Sequence, residues 1–257
     1  MKKSPTIKAA AFFEFCIELL KNPEPQVGKY RSNPRLYSEV LPNLLKTYLQ
    51  RTDFYYDALV VDEGQDFAPE AWEVITMLIP EGAPCCIFYD PDQNIFTKEL
   101  KLPDFGLPPV LLTKNCRNTR KIYEMLKPYS TIMDSAPEGA DVHVLQGGCR
   151  VLLERELERL VMAEGVPLQD IVILGGHSLE HTSIGENHDV GRFHIVERAP
   201  EIGAMEVSYF TYMKYKGCES KVVILLDVDE NDERWKNRHG IYTAMSRAMH
   251  QLIVLHK

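Results

Sequence analysis

Short apolar runs alternate with amphipathic stretches along most of the chain. Ala58-Leu59-Val60-Val61 is a continuous apolar segment that ends at a pair of carboxylates, and Cys85 to Tyr89 is a second one that ends at Asp90. Runs of this length without alternation predict strands buried on both faces. Further strands are predicted at Val110 to Thr113, Val142 to Leu145, Ile171 to Leu174, Val207 to Thr211, Val222 to Leu226 and Leu252 to Leu255. Between them, apolar residues recur at helical spacing over Phe67–Ile79, Thr119–Lys127, Leu152–Glu164 and Ile241–Met249. Asp66 supplies a cap for the first of these helices, and Pro69 sits in its first turn. Near the start, Ala9 to Leu20 predicts an amphipathic helix broken on its polar face by Glu14 and Glu18, and Lys21 to Pro34 reads as a loop. Strands alternating with helices predict an α/β fold with a parallel sheet covered on both faces. In such sheets ligands sit at the C-terminal strand ends, where Asp62, Asp90 and Thr211 fall. Three prolines and a glycine between Leu102 and Pro109 mark a domain boundary.

Composition narrows the class without naming a function. The 257 residues are 45% hydrophobic and 26% charged, an ordinary globular balance. No apolar run reaches the roughly 18–20 residues of a membrane span. A cluster of small residues suited to signal-peptide cleavage is also absent, so a cytoplasmic protein without a membrane partner is expected. The six cysteines form no C-x-x-C pair, which predicts reduced thiols. Cys85-Cys86 reads as strand packing. His177, His181 and His188 lie in a polar loop without metal-ligand spacing. A net charge of −8 counts against a surface broadly coated for nucleic acid, but leaves room for a local groove.

The sharpest chemical signal is Asp62-Glu63-Gly64-Gln65-Asp66. Adjacent carboxylates at a strand end repel each other, and a divalent cation or a proton relieves them. In phosphoryl transfer one such carboxylate holds Mg²⁺ and the other orients the attacking water. The alternative is a helix N-terminus, which favours acids without any catalytic role.

Together with four later segments, this string resembles the motifs of the UvrD/Rep-type superfamily 1 helicases. Asp62-Glu63-Gly64-Gln65-Asp66-Phe67 is similar to motif II, Asp90-Pro91-Asp92-Gln93-Asn94-Ile95-Phe96 to motif III, and Leu112-Thr113-Lys114-Asn115-Cys116-Arg117-Asn118 to motif IV. Phe210-Thr211 through Lys216-Gly217-Cys218-Glu219 resembles motif V, and Tyr242-Thr243-Ala244-Met245-Ser246-Arg247-Ala248 resembles motif VI. The match spans Tyr56 to Lys257 in the family's order, with DEGQDF and NCRN closest to helicases often fused to nuclease-related domains. The resemblance implies two RecA-like lobes, residues 1–105 and 106–257, the first incomplete. It implies an ATP-driven motor that moves on single-stranded or partly duplex DNA, with ATP and Mg²⁺ in a cleft between the lobes. Residue by residue, Asp62 would bind Mg²⁺, Glu63 would activate water, and Gln65 and Asp66 would complete the nucleotide-binding set. Gln93 would sense the γ-phosphate, Arg117 and Arg247 would act as paired arginine fingers, and Glu219 would approach the nucleotide. Thr211, Lys216 and Gly217 would contact DNA backbone, with Lys98 as a further phosphate contact. Outside the resemblance, each Arg reads equally as a surface salt bridge, and Gly217 as a turn residue needing a positive φ.

The sequence also departs from that family. It contains no G-x-x-x-x-G-K-[ST] string, whose backbone amides and Lys hold phosphates. Gly28-Lys29-Tyr30 lacks both the upstream Gly and the hydroxyl. Asp62 comes early, so the chain is expected to start midway through the first lobe, with an exposed sheet edge there. Cys116 replaces a Tyr that stacks on adenine, and Thr97-Lys98-Glu99 replaces a Trp/Arg platform. The accessory insertion between motifs IV and V is reduced or lost, with His181 to Arg198 as its expected site. Three readings follow. The chain is an enzyme whose P-loop comes from a separate N-terminal polypeptide, a non-catalytic pseudo-helicase that binds single-stranded nucleic acid or protein, or a truncated gene fragment. In each, the isolated chain is expected to have negligible ATPase activity.

Overall fold

The computed structural model describes residues 6–21, 35–96, 101–104, 106, 108–130, 133–134 and 136–257. Lys98 and most of the Lys21–Pro34 loop lie outside the described residues. The chain divides into two compact units between Pro108 and Pro109.

The first unit joins three helices to a short sheet. Helices α1 (Phe12–Lys21), α2 (Leu41–Leu49) and α3 (Pro69–Thr76) accompany strands β1 (Leu59–Val61) and β2 (Cys85–Ile87). The apolar stripe predicted over Ala9–Leu20 buries Cys16 and Leu20 against Leu41, Leu45 and Leu49 of α2 and Val74 of α3. β1 and β2 pair in parallel, Val60 opposite Cys86. One face of this pair packs on Ala71, Trp72 and Ile75 of α3, through Val61 and Ile87. On the other face Val60 is 69% exposed and Cys86 is exposed, although the unbroken apolar run predicts burial on both sides. Neither strand has a second ladder partner among the described residues.

The second unit is an α/β domain built on a seven-stranded sheet. Its elements are β3 (Lys114–Asn115), α4 (Arg120–Leu126), β4 (Met133–Asp134), β5 (His143–Gln146), α5 (Cys149–Glu158), β6 (Ile171–Gly175), β7 (Asp189–Val190), β8 (Phe193–Val196), β9 (Glu206–Thr211), β10 (Ser220–Val228), α6 (Glu233–Lys236), α7 (Arg238–Met245) and β11 (Ala248–His256). The strand order is β5-β11-β10-β6-β9-β8-β7, parallel throughout except for β7 against β8. Ile171, Ile173, Val222, Ile224, Ile253 and Leu255 share one face with Leu153 and Leu157 of α5. Val172, Leu174, Val223, Leu225 and Leu252 point to the opposite face and are at most 2% exposed. Burial on both faces is the reason these strands read as continuous apolar runs rather than as alternation.

Two expectations need correction. Val110 to Thr113 is not a strand. Pairing begins only at Lys114, in parallel with Met133, and Val110, Leu111 and Leu112 are 77–88% exposed. Among the described residues no neighbouring ladder accepts Val110 to Thr113, and apolar composition alone does not make a strand. The predicted helix Ile241–Met249 instead spans Arg238–Met245. It starts early because the Asn237 side chain caps His239 N and Gly240 N, and it stops early because Ala248 enters β11. His181 to Arg198, the expected site of a reduced insertion, is ordered as part of the domain. It contributes β7 and β8, which extend the main sheet beside β9.

Burial sets the reactivity of two thiols. Cys16 is pushed up to about 12 and Cys149 to about 11, in both cases chiefly because burial penalises the thiolate. The associated stability is present below the ordinary thiol value of 9.0 and is lost as pH rises through the raised values. In the native protein at pH near 8, iodoacetamide is expected to modify the exposed Cys86, Cys116 and Cys218 and to spare Cys16 and Cys149 until denaturant is added. Peptide mapping that finds Cys16 or Cys149 labelled as fast as Cys116 would contradict the burial described here.

Candidate functional sites in the two units

In the first unit, the ends of β1 and β2 carry a relay of side chains. Gly64 N donates to Phe88 O (2.8 Å) and Phe88 N to Val61 O (2.8 Å), which holds the two strand ends together. Leaving β1, Glu63 adopts a left-handed backbone, φ 53°. A non-glycine residue in that region costs on the order of 1–3 kcal/mol and persists only where its surroundings fix it. Here Glu63 N donates to Asp62 Oδ1 (2.9 Å), and Gln65 Nε2 donates to Glu63 Oε2 (2.5 Å). The same Gln65 amide accepts from Asp90 N through its Oε1 (3.0 Å), and Gln93 Nε2 donates to Asp90 Oδ2 (2.7 Å). Gln65 is fully buried and Gln93 nearly so, whereas Asp62 is exposed. The buried glutamine therefore aims the Glu63 carboxylate and ties it to the Asp90–Gln93 turn. Asp66 is half-buried beside Phe67, whose ring meets Trp72 edge-on.

In the second unit, three segments distant in sequence meet at the N-terminal ends of β10 and β11. Arg117 Nε lies 2.8 Å from Glu219 Oε2, and each of these side chains is slightly under half exposed. The Arg117 loop is an Asx turn: Asn115 Oδ1 accepts from Arg117 N (3.1 Å) and Asn118 N (3.0 Å). Asn118 Nδ2 then donates to Ser246 O (3.0 Å) and Ala248 O (2.6 Å), and Thr119 N donates to Met249 O (3.2 Å). From the other side, Ser220 N donates to Arg247 O (3.0 Å). Arg247 itself is 1% exposed. Its Nε donates to Thr243 O (3.0 Å), Nη1 to Cys218 O (3.4 Å) and Nη2 to Ser246 Oγ (3.0 Å). Within its own unit this guanidinium braces the Cys218–Glu219 turn against the end of α7.

Thr211, Lys216 and Gly217 belong to the turn between β9 and β10. Thr211 Oγ1 accepts from Lys214 N (3.3 Å), Tyr215 N donates to Thr211 O (3.1 Å), and Gly217 has φ 81°, the conformation for which glycine suits the position. The motif strings include Asn115, Asn118 and Ser246 without giving them a role, although an Asn that can accept from the amides two and three residues on, as Asn115 does, carries the Asx-turn signal. Asp90 was visible as a strand end but not as the acceptor that holds Gln93.

Among the described residues, no group of three or more His, Cys, Asp or Glu side chains could hold a metal ion. No described helix is long and apolar enough to cross a membrane.

No family model matches the chain, and no curated protein matches it. Among solved structures it is similar to the C-terminal domain of a possible DNA helicase from Lactobacillus plantarum WCFS1, at 20% identity over 54% of this chain and 85% of that one, TM-score 0.42. It is also similar to the helicase nonstructural protein 10 of an arterivirus (16% identity, 80% of this chain and 40% of that one, TM-score 0.40). The helicase of PRRSV gives 15% identity over 80% of this chain and 36% of that one, TM-score 0.45. The chain thus spans well under half the length of the two viral helicases. The α/β class of the second unit rests on its own strand order and pairing.

Proposed function

We propose that the chain is part of an ATP-dependent motor of the UvrD/Rep type that couples hydrolysis to movement on single-stranded DNA. The observation that carries this reading is the convergence of Arg117, Glu219 and Arg247. The fold gathers onto one backbone frame three segments that resemble motifs IV, V and VI.

In the first unit, Asp62 is the residue that would hold Mg²⁺. Mg²⁺ keeps most of its water and is bound by one or two carboxylates plus substrate phosphates, rather than by an all-protein cage. An exposed carboxylate at a strand end fits that demand, and the absence of a larger acidic cluster among the described residues does not oppose it. When bound, the ion would neutralise phosphate charge. Glu63, fixed by its backbone turn and by Gln65, would orient the attacking water and take its proton. In the second unit, Arg117 would offer its guanidinium to phosphate oxygens. These 257 residues hold no phosphate-cradling G-x-x-x-x-G-K-[ST] loop, so turnover requires such a loop from outside them.

The same absence favours a second reading, a module that binds single-stranded nucleic acid without turnover. Two measurements separate them. The motor reading expects ATP hydrolysis only after a P-loop polypeptide is supplied in trans, and expects Glu63→Gln to reduce it by about 10²–10⁴-fold. Binding of a fluorescein-labelled oligothymidylate, read by anisotropy, should be unaltered by that substitution. Hydrolysis indifferent to Glu63→Gln, or none with any supplied P-loop partner, would leave only the binding module.

A further inference from the structure

We propose that Glu219 is a competing anion built into the second unit, one that holds Arg117 until a polyphosphate displaces it. This rests on the reading above that Arg117 meets phosphate, and it gives Glu219 a role toward Arg117 instead of toward the nucleotide. An isolated surface ion pair is ordinarily worth little, because two long side chains lose freedom for a screened attraction. This pair differs in its mounting. Arg117 sits on an Asx turn that Asn118 fastens to Ser246 O and Ala248 O. Glu219 follows Cys218, whose carbonyl is held by Arg247, and precedes Ser220, whose amide is held by Arg247 O. Tyr215 Oη donates to Glu219 O (3.0 Å) as well. Both members therefore hang from the same 246–248 backbone, whose anchors Asn118, Ser246 and Arg247 are 6% exposed or less.

The mode of contact points the same way. Glu219 approaches Arg117 from the Nε side, at 2.8 Å. Among the described residues, the two terminal nitrogens of Arg117 make no hydrogen bond. A guanidinium engaged at one point keeps its paired terminal N–H groups for a bidentate acceptor, and phosphate matches that geometry. An arriving polyphosphate would take the terminal edge while its charge repels the neighbouring carboxylate, so Glu219 swings away as the phosphate docks. The cost of that exchange falls on ligand affinity.

Isothermal titration with inorganic tripolyphosphate at low ionic strength tests this on four proteins: wild type, Glu219→Gln, Arg117→Ala and the double variant. An exposed pair of this kind limits the gain to about fivefold. Glu219→Gln is therefore expected to bind about 3–5-fold more tightly than wild type, with the gain shrinking as salt is added. Arg117→Ala is expected to bind more weakly, and the double variant to match Arg117→Ala. If Glu219→Gln binds no better than wild type, the proposal is overturned. The same holds if the gain survives in the Arg117→Ala background, since that would be general charge repulsion. A different result, Arg117→Ala binding as well as wild type, would remove the phosphate role of Arg117 and with it the underlying reading. All four chains should give the same far-ultraviolet circular dichroism, because neither side chain lies in the core.

Discussion

Replacing Arg247 by Ala is expected to lower the thermal unfolding midpoint of the second unit by roughly 6–12 °C, from a loss of about 3 kcal/mol at about 2–4 °C per kcal/mol. The side chain is 1% exposed and donates to Thr243 O, Cys218 O and Ser246 Oγ. Alanine takes the guanidinium donor away from those acceptors, at about 1–3 kcal/mol for each one that is left unpaired and that water cannot reach. Removing the buried charge returns part of that loss, which is why the sum is not simply additive. Arg247→Lys is expected to recover little. An ammonium is a compact point donor, whereas these three acceptors are spaced to match a planar fork. Differential scanning calorimetry on the three proteins would decide it. A midpoint for Arg247→Ala within about 2 °C of wild type would mean that the guanidinium does not brace this turn.

Gly175→Ala is expected to destabilise the second unit by a similar amount, through packing instead of hydrogen bonding. A Cβ at Gly175 would lie 1.9 Å from Tyr209 Oη and 2.8 Å from Cζ. Tyr209 cannot swing aside cheaply. It is 0% exposed, and its hydroxyl donates to His177 O at 2.5 Å. Overpacking of this kind costs about 1–3 kcal/mol, and losing the buried hydroxyl bond adds about 1–3 kcal/mol. Tyr209→Phe in the same chain removes the atom nearest the new methyl group. The double variant should therefore lose less stability than the two single losses added together, the coupling expected for residues in contact. Urea unfolding curves for the four proteins measure that coupling. Strict additivity would mean that Gly175 and Tyr209 move apart more easily than their packing implies.

Both predictions concern residues whose surroundings the sequence does not announce. Gly175 was legible as the end of a buried strand, but not as a glycine made necessary by a tyrosine on β9. Arg247 was legible as part of a motif, and reading it through that resemblance aims its guanidinium at a nucleotide phosphate. Its hydrogen bonds inside the second unit go to backbone and to Ser246. The left-handed turn at Glu63 was equally hidden. A dipeptide of two acids says nothing about φ, and the conformation exists because Phe88 O, Asp62 and Gln65 together hold it.

What the sequence determined by itself is the set of interactions that depend on near neighbours and on hydrophobic period. β6, β9, β10 and β11 were found within a few residues because an apolar run long enough for a strand is buried wherever a sheet forms. The helices over Pro69–Thr76, Arg120–Leu126 and Cys149–Glu158 followed from spacing, whereas the expected Asp66 cap is not made: Ala68 stands at that helix's N-cap. Tertiary structure alone decided which strand found a partner and which charges met. Val110–Leu112 has the composition of a strand and lies exposed, while Asp189 to Val196, where no strand was expected, joins the sheet. A strand is stabilised by hydrogen bonds to another strand, and no local pattern records whether one will be there. Arg117 and Glu219 pair for the same kind of reason. Their separation in sequence is bridged only because Asn118, Ser246 and Arg247 carry both loops to one backbone frame.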